Sequence, residues 1–192
     1  MRPAARQAEA YLAKPVSDHR DHIAGNPTAA VTLVEYGDFE CPHCGAAHPI
    51  VEQLLDQLGD EIRFVFRHFP LTQIHPHAQD AAEAAEAAGS QEKFWEMHDT
   101  LYENQEALDP QSLVLYALQL NLNAPQFELE LAEHRHIPRI REDFSSGVRS
   151  GVNGTPTFFI NGRRHDGPWD LPSLAAAIQA EMHEETPESR RK

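Results

Sequence analysis

Val31-Thr32-Leu33-Val34-Glu35-Tyr36-Gly37-Asp38-Phe39-Glu40-Cys41-Pro42-His43-Cys44 decides how this chain is read. Its first six residues are β-branched and apolar enough for a buried strand. Beyond Cys44 the apolar positions Ala46, Ala47, Ile50, Val51, Leu54, Leu55 and Leu58 recur at helical spacing and stop at Gly59. Cys41 therefore opens a helix, where unpaired backbone N–H groups and the positive end of the helix dipole favour a thiolate. Pro42 suits the first helical position because its missing N–H costs nothing there. His43 can bring a second positive charge to the same sulfur. Cys44 lies on the same helical face, close enough to close a disulfide with Cys41. Cys41 is expected to be the exposed, acidic thiol and Cys44 the protected one. The chain has only these 2 cysteines, and they read as a dithiol redox centre. A zinc site would need a second ligand pair, for which His75-Pro76-His77 is the nearest match. A proline between the cysteines shapes a helix start instead, so no metal ligand and no cofactor is assigned.

The chain has 192 residues and is 41% hydrophobic, which fits one domain with a sizeable insertion. A formal net charge of −14 argues against a nucleic-acid footprint. Two arginines near the start are followed by no apolar stretch and no small-residue cleavage site, and no run of 18 apolar residues occurs. A cytoplasmic protein without membrane insertion is expected, or one of the cell envelope if a leader has been trimmed. In the cytosol such a cysteine pair would cycle between dithiol and disulfide.

Residues 1–30 read as an N-terminal arm with a possible short helix to Lys14. Residues 31–70 supply a strand, the cysteine-bearing helix and a second strand, Glu61 to Phe69, which Pro70 stops. This βαβ unit favours a parallel pair. From 71 to 147 the pattern is helical. Asp80 to Ala88 is a strong helix former closed by Gly89, Ser90 is placed to cap the next helix, and Pro110, Pro125 and Pro138 open further ones. The aromatics Phe94, Trp95 and Tyr102 read as core. Residues 148–184 return to sheet: Thr157 to Ile160, the turn signal Asn161-Gly162, then a final helix capped by Asp170. Residues 185–192 form a polar tail.

The order βαβ, helical block, ββα, with the cysteines at the first helix start, is a thioredoxin-like α/β fold carrying a helical insertion. Thr155-Pro156 heads the third strand of that order. If the bond is cis, the sharp turn could bring Thr155 backbone groups to the Cys41 sulfur, ready to pair with an extended substrate.

Over roughly residues 17–183 the sequence resembles the DsbA-like thiol:disulfide oxidoreductases. The resemblance is carried by Asp21-His22 with Gly25, Leu33 to Gly45, Arg67-His68-Phe69-Pro70-Leu71, and Gly151 to Phe158. It implies that Cys41 attacks, Cys44 resolves, Pro156 is the cis-proline beside the substrate-pairing Thr155, and Pro42-His43 marks an oxidising member. Glu35, six residues before Cys41, matches the family's buried acid; the alternative, read from the residues alone, is a half-exposed strand position. The implied partners are protein or small-molecule thiols and disulfides and a redox partner. The readings from other classes are a redox-silent binding protein of the same fold and a zinc-binding module.

Overall fold

The computed structural model describes residues 10–184. The strands β1 (His22–Gly25), β2 (Val31–Gly37), β3 (Ile62–His68), β4 (Thr157–Ile160) and β5 (Arg163–Arg164) form one sheet in the order β1-β3-β2-β4-β5. The helices are α1 (Pro42–Leu58), α2 (Ala78–Gly89), α3 (Phe94–Glu103), α4 (Pro110–Gln119), α5 (Ala124–Ala132), α6 (Ile137–Arg149) and α7 (Leu171–Glu184). β2 and β3 are parallel, as the α1 crossover requires, and the other pairs are antiparallel. The hairpin turn uses Asn161 at φ 46° and Gly162 at φ 80°, the paired left-handed geometry of a type I′ turn.

Alternation along the strands divides the core. Val31 and Leu33 of β2, Ile62, Phe64 and Phe66 of β3, and Phe158 and Ile160 of β4 face Ala47, Val51 and Leu54 of α1 and Leu174 and Ile178 of α7. Val34, Tyr36, Val65 and Phe159 face the other way, with Phe69, Val152 and the half-buried Phe144 of α6. By the same alternation Glu35 sits on the α1 face, in register between Phe66 of β3 and Phe158 of β4.

The helical block packs around α2. Seven alanines of this helix are buried, Ala78 to Ala88, because small side chains let α3 and α5 approach on either side. Ser90 does not cap α3. Its hydroxyl donates to Ala87 O, closing α2, while Lys93 occupies the start of α3. The block stays short-connected because Asp109 and Asn123 each accept backbone N–H bonds at their helix starts, with proline just inside.

The segment expected to be an arm is partly sheet. β1 pairs with β3, and Tyr11 bridges to Arg163, so residues 10–14 are not helical; the remainder of that expected helix lies outside the described residues, as does the 185–192 tail. Arg67 explains the order of this segment. Its fully buried guanidinium donates to both oxygens of Asp21, to the carbonyls of Lys14 and Pro15, and to the Tyr36 hydroxyl. A charge taken out of water in this way is tolerated only with all donors engaged.

Candidate active site

Cys41 occupies the position before the first turn of α1, with φ −74° and ψ 120°. The extended backbone there aims its side chain at the open N–H groups of the helix. The two sulfurs, both free, lie 4.0 Å apart. The Cys41 thiol is pulled down to about 5, first by the hydrogen bond from Cys44. Burial works against this, and the Thr155 hydroxyl and the N–H groups of Cys44 and His43 add to it. Cys44 is pushed well above the ordinary thiol range, first by burial, then by its bond to Cys41 and by the Glu35 charge.

The Thr155–Pro156 bond is cis, and Thr155 O lies 3.4 Å from Cys41 Sγ as acceptor of its S–H. Among the described residues the buried Thr155 hydroxyl has no hydrogen-bond partner and is left to face this sulfur. Pro156 thus stands beside the dithiol, 115 positions along the chain from Cys41.

Two sequence expectations change. Cys41 is 4% exposed, not open to solvent, because the Thr155 loop and the neighbouring Gln105 side chain crowd it. Its acidity comes from directed hydrogen bonds, which outweigh the burial. The half-exposed alternative for Glu35 also fails: it is 2% exposed, and among the described residues its Oε1 has no hydrogen-bond partner. Burial, and then the Cys41 charge, raise its pKa to about 8. Pro42 is exposed at the first turn, as its ring geometry suits. The His43 ring is likewise exposed, and what His43 directs at the sulfur is its backbone N–H.

The loop before Cys41 is held by Asp38, Glu40 and Gln105, to which sequence reasoning gave no role. Asp38 Oδ1 accepts from Glu40 N, while its Oδ2 accepts from Leu71 N and faces His75 Nδ1 at 2.8 Å. Glu40 accepts from His77 N and contacts His77 Nδ1. Gln105, just beyond α3, donates from Nε2 to the carbonyls of Phe39 at 2.7 Å and Cys41 at 2.9 Å. His68, His75 and His77 are therefore not free surface residues; His68 is fully buried and pairs with Glu86. Asp38 was legible in principle, since Asp two residues before a loop N–H is an Asx-turn signal. Gln105 left no local signal.

A central sheet with one parallel pair, a CxxC dithiol at the start of α1, and a Thr-Pro loop against its first sulfur define a dithiol protein of the thioredoxin class. A family model described as Thioredoxin matches residues 17–180, and the chain belongs to that family. The fold is that of the DsbA structures. Oxidised BdbD from Bacillus subtilis superposes with a TM-score of 0.79 at 22% identity, over 91% of this chain and 99% of that one. Wolbachia pipientis α-DsbA1 does so with 0.77 at 22% identity, over 90% and 95%. A thioredoxin-like oxidoreductase from Silicibacter pomeroyi gives 0.77 at 26% identity, over 86% and 94%. In sequence, the chain is 50% identical over 185 residues to a protein of Salinispora arenicola described as Na(+)/H(+) antiporter NhaA 1. It is 43% identical over 171 residues to one of the same description from Mycobacterium sp. (strain KMS). The match takes in 92% and 88% of this chain but spans only 28% of the length of each relative.

Proposed function

We propose that this chain is a thiol:disulfide oxidoreductase that exchanges the Cys41–Cys44 dithiol or disulfide with protein thiols. The observation that carries this reading is the sulfur pair 4.0 Å apart at a helix N-terminus, with Thr155 O 3.4 Å from the outer sulfur. In one direction the Cys41 thiolate attacks a substrate disulfide, expels one substrate thiolate and forms a mixed disulfide. Cys44 then gives its proton to Glu35 and attacks Cys41 Sγ, releasing the second substrate thiolate and leaving Cys41–Cys44 oxidised. The reverse direction starts with a substrate thiolate attacking Cys41. Glu35 is suited to the proton step because it faces Cys44 from the sheet in an apolar setting and titrates near 8, close to working pH. An extended substrate segment pairs with the Thr155 backbone, as in strand-addition recognition. When protonated, the exposed His43 ring adds positive charge near the thiolate.

Ion exchange, named for the antiporter relatives, is not proposed for this segment. Among the described residues no helix is long and apolar enough to cross a membrane, and the match spans 28% of those chains. Insulin reduction in the presence of dithiothreitol tests the activity. Turnover that disappears in Cys41→Ser supports it, and an inactive, well-folded dithiol protein would leave a redox-silent binding protein instead.

A further inference from the structure

A second cluster lies between α1 and α3, in a cleft of about 380 Å³ lined mainly by their residues. His48 and His98 are 7% and 3% exposed. Among the described residues, the Nε2 atoms of both are buried without a hydrogen-bond partner. Leaving an imidazole nitrogen dry and unpaired costs about 1–3 kcal/mol, and His48 Nε2 is such an atom that faces a carboxylate of this cluster. Asp99 joins them: His48, His98 and Asp99 each offer one ligand atom within 4.8 Å of the other two. Asp99 Oδ1 is 2.8 Å from His98 Nδ1 and 4.0 Å from His48 Nε2. Glu52, one turn beyond His48 on α1, brings Oε2 to 3.8 Å from the same nitrogen.

We propose that His48, His98 and Asp99, with Glu52 as a fourth ligand, bind a divalent transition metal of the zinc class. Two imidazoles with one or two carboxylates suit zinc chemistry and disfavour calcium or magnesium, which take oxygen donors. Tetrahedral zinc with bonds of about 2.0–2.1 Å sets its ligand atoms roughly 3.3 Å apart. His98 and Asp99 are already inside that spacing. His48 Nε2, now 4.0 Å from Asp99 Oδ1 and 3.8 Å from Glu52 Oε2, must close in on both. Asp99 and Glu52 are about half-exposed and give the ion its access route, while the imidazoles hold the dry side. The His48 ring stacks on Tyr102 at 5.1 Å, and the His98 edge meets the Phe66 ring at 4.8 Å, which fixes both ring planes. A bound ion would join α1, which carries both cysteines, to α3 of the helical block.

The test uses the oxidised protein, in which Cys41 and Cys44 are tied up and cannot bind metal. Zinc titration by calorimetry should give one ion per chain. Cobalt(II) should give a visible spectrum without sulfur charge-transfer bands, and zinc should raise the melting temperature. Asp99→Asn and His48→Gln should each weaken binding by about tenfold or more, a loss at least as large as that seen on removing supporting residues. Exposed His19→Gln should leave it unchanged. Asp99→Asn alters a half-exposed side chain, so a folding failure in His48→Gln still leaves a decisive variant. The proposal is overturned if the oxidised protein binds no zinc, if zinc binds only the reduced protein, or if binding survives Asp99→Asn.

Discussion

Replacing Glu35 with Gln keeps the shape of the side chain and removes its charge. The carboxyl is buried on the α1 face and titrates near 8 instead of the ordinary 4.5. An acid whose folded pKa is raised costs nothing below the unfolded pKa. Its cost grows as pH rises from about 4.5 and is complete above about 8. The span is about 3.5 pH units, so at roughly 1.36 kcal/mol per unit the full penalty is on the order of 5 kcal/mol. At pH 7 the linkage covers about 2.5 of those units, which is on the order of 3 kcal/mol. Glu35→Gln relieves that cost and adds a buried amide N–H₂, a pH-independent loss of about 1–3 kcal/mol. The difference between pH values therefore isolates the charge. Urea unfolding of the reduced wild type and Glu35→Gln, from pH 4 to 9, should show the variant gaining on the wild type by several kcal/mol across the range. Resolution of the mixed disulfide should slow in parallel and lose its rise between pH 6 and 8. A stability difference that stays flat from pH 4 to 9 would refute the raised pKa, and with it the case for Glu35 as the base.

Cys44→Ser should accumulate mixed disulfides at Cys41, visible on non-reducing gels, whereas Cys41→Ser should accumulate none. Thiolate absorbance should place the Cys41 midpoint near pH 5. In the Glu35→Gln background the redox potential should fall by about 59 mV per pH unit below that midpoint and about 30 mV above it, since reduction then takes up one proton fewer. Arg67→Met takes from the buried Asp21 the guanidinium that engages both its oxygens and should cost about 3–5 kcal/mol in unfolding free energy. A loss under 1 kcal/mol would show that Arg20, also paired with Asp21, carries that carboxylate alone.

The parts of the fold that were legible in the sequence are the ones set by local chemistry. β2 and β3 declared themselves through β-branched and aromatic runs, and α1, α4, α5 and α6 through a proline in the first turn. The hairpin showed in two residues, Asn161-Gly162. β1 did not, because His22-Ile23-Ala24-Gly25 has one large apolar residue and owes its extended form to pairing with β3. The site divides the same way. Cys41, Cys44 and the Thr155-Pro156 pair stood out by residue type and context. The burial of Cys41 did not, since it depends on Gln105 and Thr155, which lie 64 and 114 positions away. Glu35 was ambiguous until the sheet set Phe66 and Phe158 on either side of it. Nothing in the sequence marks His48 and His98, and only the packing of α1 against α3 brings them into one cleft.

The three residues before the dithiol hang from the helical block. Asp38 is tied to Leu71 and His75, Glu40 to His77, and the Phe39 and Cys41 carbonyls to Gln105. The piece of this protein that could be transplanted is therefore larger than its cysteine motif. Grafting Cys41 to Cys44 onto a bare strand-helix scaffold would leave those carbonyls and carboxylates to water, and the start of α1 would fray. A chimera that exchanged the helical block for another would have to import matching anchors for Asp38, Glu40 and the carbonyls of Phe39 and Cys41. In such swaps, thiol acidity would follow the origin of the helical block more closely than the origin of the four-residue motif.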